Sequence, residues 1–141
     1  MKYSLLCLFA CCLYFTAAHT AAGQLTTLSP ASPDSLPGTY TGKFGSTPIF
    51  IHLHHPDGNK VTGYNIHKGL RREFSGYVTP KGDSFLVSLS EPGDNPFDGK
   101  FLLTFDKNFT QATGSWTPVN GKDKSPTWFN LIRTTAMPGE K

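Results

Sequence analysis

From Gly38 onward this chain is a run of short apolar stretches, each cut off by residues that make tight turns. The clearest breaks are Pro56-Asp57-Gly58-Asn59, Pro80-Lys81-Gly82-Asp83, Asp106-Lys107-Asn108 and Asn120-Gly121-Lys122-Asp123. Asp-Gly, Lys-Gly and Asn-Gly steps accept the positive φ that a tight hairpin requires. No stretch between breaks has a helical period, and none has room for a βαβ crossover. The spacing predicts strands near 38–44, 48–55, 60–67, 72–79, 83–90, 98–106, 110–117 and 126–133.

Alternation within these strands sorts residues onto two faces. Centring one hairpin on Lys81-Gly82 sets Phe74, Gly76 and Val78 against Leu89, Val87 and Phe85, with Glu73, Ser75 and Tyr77 against Ser90, Ser88 and Leu86 on the other side. One apolar and one mostly polar face is what a half-buried antiparallel pair needs. Centring the next on Lys107-Asn108 sets Phe101, Leu103 and Phe105 against Gly114, Ala112 and Thr110, with Lys100, Thr104, Gln111 and Ser115 outside. Large residues facing small ones suit a narrow barrel interior. Glycines recur beside aromatic residues at Gly63-Tyr64, Gly76-Tyr77, Gly99-Lys100-Phe101 and Gly114-Ser115-Trp116, positions where a strand bends or packs closely. An open sheet of this length would leave two unprotected edges. The expectation is an all-β fold, an antiparallel up-and-down β-barrel of about eight strands, with a two-sheet β-sandwich as the alternative.

The first segment reads as an address. Met1-Lys2 carries one side-chain charge, Leu5 to Phe15 is almost wholly apolar, and Ala17, Ala18, Ala21 and Ala22 follow. That is the layout of a secretory signal, shorter in its apolar part than the roughly 18–20 residues of a membrane span. The domain reading is therefore a signal peptide at 1–22, a flexible Ser/Thr/Pro linker at 23–37, the barrel at 38–134 and a disordered tail at 135–141. The implied location is exported, periplasmic or extracellular in a bacterium. In the alternative, Leu8-Phe9-Ala10-Cys11 is a lipobox and Cys11 carries a lipid anchor. Cys7, Cys11 and Cys12 all lie in this segment, so the mature domain holds no disulfide and no thiolate.

Gly38-Thr39-Tyr40 at the start of the first strand, with Arg133 in the last, resembles the calycin pattern of lipocalins and avidins. The resemblance implies a barrel floor where an aromatic ring is covered by a basic side chain. The stretch from Gly38 to Ser46 is similar to the avidin opening, and Ser46 falls where avidins carry a ligand-binding serine. Gly42 stands where that site has an asparagine. The chain as a whole resembles small exported lipocalin-like proteins of bacteria, which bring no known activity.

With 38% hydrophobic and 16% charged residues, a coiled coil and a charged disordered tail are excluded. A net charge of +3 with no long basic run gives no reason to expect nucleic acid as a partner. Lys68, Arg71 and Arg72 read as a solvated loop. In the main functional reading, a non-enzymatic barrel takes a small hydrophobic or planar molecule in its interior. Tyr40, Tyr64, Trp116 and Trp128 would stack on it, and Ser46 or Asn130 would orient it. The alternative is an exported interaction or inhibitor module that holds a protein partner through loops at one barrel end. His52 and His54 have a metal-ligand spacing, and parity puts His67 on the same face. The opposite face carries the core set Ile49, Ile51 and Leu53, so an exposed polar stripe is the preferred reading and no metal and no cofactor is assigned. No serine context forms a nucleophile elbow, and Asp83, Asp94, Asp98 and Asp106 lie at turns, so no enzyme is expected.

Overall fold

The computed structural model describes residues 32–136. After a 3-10 turn over Pro33–Ser35 come eight strands: β1 (Gly38–Phe44), β2 (Thr47–Leu53), β3 (Lys60–His67), β4 (Leu70–Lys81), β5 (Ser84–Ser90), β6 (Gly99–Asp106), β7 (Gln111–Pro118) and β8 (Thr127–Thr134). Each pairs antiparallel with its chain neighbour, and β1 pairs with β8 to close an up-and-down barrel. A sheet closed in this way has no edge to protect. Among the described residues no helix is long and apolar enough to cross a membrane.

Period-two burial follows from the alternation. Phe85, Val87 and Leu89 point inward on β5, Phe101, Leu103 and Phe105 on β6, and Phe129 and Leu131 on β8. The turns β2–β3, β4–β5 and β6–β7 gather at one end with both ends of the barrel's chain. This floor is solid. Tyr40, Phe105 and Phe109 are 0% exposed, with Tyr40 edge-on to Phe105 at 5.0 Å and Phe85 packed on Phe109 at 4.6 Å.

The segment read as linker at 23–37 needs correction at its end. Leu36 is 0% exposed and belongs to the core, because its side chain completes the apolar plug beneath Tyr40. The segment expected to be a signal peptide at 1–22, with its three cysteines, residues 23–31 of the expected linker and residues 137–141 of the expected tail at 135–141 lie outside the described residues.

Two hairpins keep the expected faces but shift register by two residues. Val78 opposes Val87 and Gly76 opposes Leu89, because Gly82, with φ +59, takes the first turn position that a lysine would occupy at a steric cost. Leu103 opposes Gly114 and Phe101 opposes Trp116. Here the turn is longer: Phe109 adopts φ +53 to drop into the floor, and the Asp106 carboxylate accepts from the N–H groups of Thr110 (2.7 Å) and Gln111 (3.0 Å).

The β2–β3 hairpin departs by an odd step. Ile49 pairs with His67 and Leu53 with Gly63, while the isolated bridge Asp57–Lys60 is offset by one residue, a bulge on the β2 side. One extra residue reverses facing. His67 therefore points into the barrel with Ile49, and His52 and His54 point out. The expectation that His67 shares their face is overturned.

The recurring glycines are a matter of barrel geometry. A Cβ on Gly76 would stand 1.7 Å from the Ser88 carbonyl oxygen, and one on Gly99 would stand 2.3 Å from the Trp116 ring. Neighbouring strands and rings occupy the space that a side chain would need.

Candidate functional site

The opposite end of the barrel is open. It is rimmed by the β1–β2 turn at Gly45-Ser46, the β3–β4 turn at Lys68-Gly69, and the longer β5–β6 and β7–β8 connections. Lys68 and Gly69 both take positive φ (51° and 78°), so the β3–β4 turn is tight and β4 begins at Leu70. A cavity of about 390 Å³ enters here. Its walls are Phe44, Ile49, Phe101 and Trp116, its polar groups are Asn65, His67 and Glu91, and its rim holds Lys68, Leu70, Arg72 and Phe97.

Glu91 organises the wall. It continues the inward series Phe85, Val87, Leu89, and its backbone N–H still donates to the Gly99 carbonyl at 3.0 Å. The side chain sits in a residue only 5% exposed. Oε1 accepts from Asn65 Nδ2 at 2.8 Å, and Oε2 accepts from the Gly99 N–H at 2.6 Å and from Trp116 Nε1 at 3.1 Å. One carboxylate thus ties β3, β6 and β7 together and fixes the indole. Phe44 meets Trp116 edge-on at 5.6 Å.

Arg72, read from sequence as part of a solvated loop, faces inward with Phe74, Gly76 and Val78. It pairs with Asp98 at 2.9 Å, with side-chain exposures of 16% and 3%. Asp98 also accepts from the N–H groups of Gly93 (2.9 Å) and Asn95 (3.1 Å), which folds the β5–β6 loop over the mouth. Burial alone would raise the Asp98 pKa. The Asn95 N–H, the Arg72 guanidinium and the Gly93 N–H outweigh it and hold the carboxyl below its ordinary range. Burial lowers the His67 pKa, and Lys68 and Arg72 add to the effect. His67 Nε2 lies 2.6 Å from Thr47 Oγ1, and its ring meets Phe44 at 4.9 Å.

Of the six side chains expected to hold a ligand, the cavity receives one, Trp116. Tyr40 is sealed in the floor, where its hydroxyl donates to the Leu36 carbonyl at 2.7 Å. Ser46 is exposed in the β1–β2 turn. Tyr64, Trp128 and Asn130 are on the outer face. Tyr64 stacks on His52 at 5.1 Å beneath the Arg71 guanidinium at 3.7 Å, Trp128 is 70% exposed, and Asn130 accepts from Thr113 Oγ1 at 3.1 Å. Aromatic identity suggested an interior place for them, but strand parity decides it. His52 and His54 stand outside with ring centroids 5.4 Å apart, and the described residues hold no group of three or more His, Cys, Asp or Glu side chains placed for a metal ion.

Asn65, Arg72 and Glu91 were missed as site residues. Extending each strand's inward series by one step finds all three. No protein-family profile, curated protein or solved structure matches the chain.

Proposed function

We propose that this protein is a non-enzymatic, exported barrel that binds a small amphipathic or planar molecule through its open end. The observation that carries the reading is the mouth cavity of about 390 Å³, within the usual size of small-molecule sites. Its chemistry supports it too: ring and aliphatic walls with a few polar groups fixed by hydrogen bonds. The covered Tyr40 floor supports kinship with calycin barrels, where ligands enter at the end opposite the floor.

The test is saturable energy transfer from Trp116 to the neutral probe N-phenyl-1-naphthylamine, in a Trp128→Phe background that leaves one tryptophan. Transfer that saturates at one probe per chain supports the reading. A featureless linear response sinks it.

A second reading draws on Leu70 and Phe97, which are 58% and 69% exposed at the rim. Exposed apolar groups around a mouth suit a protein partner that docks over the loops. A Leu70→Ser/Phe97→Ser double variant separates the two. It would abolish capture of a partner, whereas a probe seated on Phe44, Phe101 and Trp116 would bind more weakly but still saturate at one per chain.

A further inference from the structure

Glu91 forms no ion pair among the described residues, although it lies in the cavity wall and is only 5% exposed. Its three partners, Asn65, Gly99 and Trp116, are neutral N–H donors. Neutral donors satisfy oxygen lone pairs but leave the negative charge uncompensated, whereas buried charges in proteins are ordinarily paired. A carboxylate has about four acceptor directions. Oε2 receives two donors and Oε1 one, so Oε1 keeps a direction for a further donor.

The surrounding groups favour the same sign of ligand charge. Phe44, Phe101 and Trp116 present ring surface, and aromatic faces attract cations. The Arg72 charge is already balanced by Asp98 at 2.9 Å. Lys68 is exposed in its turn, where water and salt screen it, while Glu91 in the wall is screened far less. The lowered pKa of His67 keeps that ring neutral at pH 7.

We propose that the cavity selects ligands in which a protonated amine sits on a small aromatic or aliphatic body, with Glu91 as the residue that sets this preference. The inference rests on the binding-barrel reading above and names the ligand class for that site. The amine donates to Glu91 Oε1, and the apolar body lies against Phe44, Phe101 and Trp116.

The experiment compares 4-phenylbutylammonium, 4-phenylbutanol and 4-phenylbutyrate, which share a ring and a similar chain and differ in charge. Binding is followed by Trp116 emission in the Trp128→Phe background. The ammonium is expected to bind about tenfold tighter than the alcohol, the scale of one charge-assisted hydrogen bond, with the carboxylate weakest. In Glu91→Gln the ammonium should lose its advantage, so that the ratio of ammonium to alcohol affinity falls from about ten to about one. If Glu91→Gln fails to fold, the wild-type ranking still decides. Equal binding of all three, a carboxylate that binds tightest, or an ammonium preference that survives in folded Glu91→Gln overturns the inference and leaves the binding barrel standing. Binding of the naphthylamine with none of these three also overturns the inference alone. Failure of all four probes removes both.

Discussion

The guanidinium carbon of Arg133 stands 5.5 Å over the ring of Tyr40, and Arg133 Nη1 donates to the Tyr40 hydroxyl at 3.3 Å. The same group donates to the carbonyls of Ser35 (2.8 Å), Phe109 (3.3 Å) and Pro37. One side chain from β8 thereby joins the N-terminal segment, β1 and the β6–β7 turn at the barrel floor. Arg133→Met keeps the stem but removes these bonds, and is expected to cost about 1–3 kcal/mol in urea unfolding. Arg133→Lys should recover only part of that, since one ammonium cannot reproduce a planar fork spread over several acceptors.

Tyr40 makes stability depend on alkaline pH. Burial pushes its pKa up from 10.0 to about 12, against an opposing pull from Arg133. The folded protein therefore holds a proton that the unfolded chain releases. Stability is intact below pH 10 and declines as pH rises toward 12, by about 2–3 kcal/mol across the window. Tyr40→Phe loses the bond to the Leu36 carbonyl and should be about 1 kcal/mol weaker at pH 7, with a shallower alkaline decline. Unfolding midpoints between pH 8 and 12 check both.

The barrel was legible because turn chemistry and two-residue alternation are local signals, and both survive a register slip of two. The pairs Gly76–Leu89 and Leu103–Gly114 show this. The inward residues are those expected except Thr110, which the two-residue shift leaves exposed in the β6–β7 turn, where its hydroxyl donates to the Asp106 carboxylate. What failed was an odd step. The bulge beyond Leu53 inserts one residue, and His67 moves from the outer stripe to the cavity. Nothing in Pro56-Asp57-Gly58-Asn59 alone distinguishes an even loop from an odd one. The site was misplaced for another reason. Residue type alone points Tyr64 and Trp128 inward, but Val61 and Gly63, and Phe129 and Leu131, define inward faces that exclude them. Glu91 and Arg72 are not legible as interior residues because a charged side chain is ordinarily exposed unless it is partnered. Their burial depends on the Asn65, Gly99 and Trp116 donors and on Asp98, partners that only the closed sheet brings close.

Two glycines should respond differently to alanine. At Gly76 the new Cβ would lie 1.7 Å from Ser88 O, a backbone atom that cannot yield without parting β4 from β5, so Gly76→Ala is expected to cost about 3 kcal/mol. Gly45, with φ +63 and nothing within 4 Å, meets only backbone strain, and Gly45→Ala should cost about 1 kcal/mol. Equal losses in paired denaturation curves would contradict the close-approach account.

His52 and His67 should both titrate below the ordinary histidine value of 6.5. Burial is the first cause for each, joined by His54 and Arg71 at His52 and by Lys68 and Arg72 at His67. The folded state then prefers the neutral ring, so the unfolded chain binds more protons and stability falls as pH drops below 6.5. Proton NMR of the ring Cε1–H signals reads the two midpoints. A His52→Gln/His67→Gln variant should lose less stability than wild type between pH 7 and pH 5.

Asp98→Asn tests whether the mouth is held by its ion pair. The variant leaves Arg72, whose side chain is 16% exposed, without its carboxylate, and it weakens the bonds from the Gly93 and Asn95 N–H groups. Breaking a buried pair from one side is expected to cost about 3 kcal/mol. In the wild type the depressed Asp98 pKa contributes stability above the usual carboxylate value of 3.8 that is lost as pH falls through the folded value, so acid unfolding should be less steep in the variant. Amide exchange at Gly93 and Asn95 should speed up while Val87 and Leu103 amides keep their protection relative to global unfolding, because the loop loosens and the barrel stays closed. The freed Arg72 cation also faces the cavity. Loss of the proposed ammonium preference there, with a gain for 4-phenylbutyrate, would place the charge balance of the mouth in the Arg72–Asp98 pair as well as in Glu91.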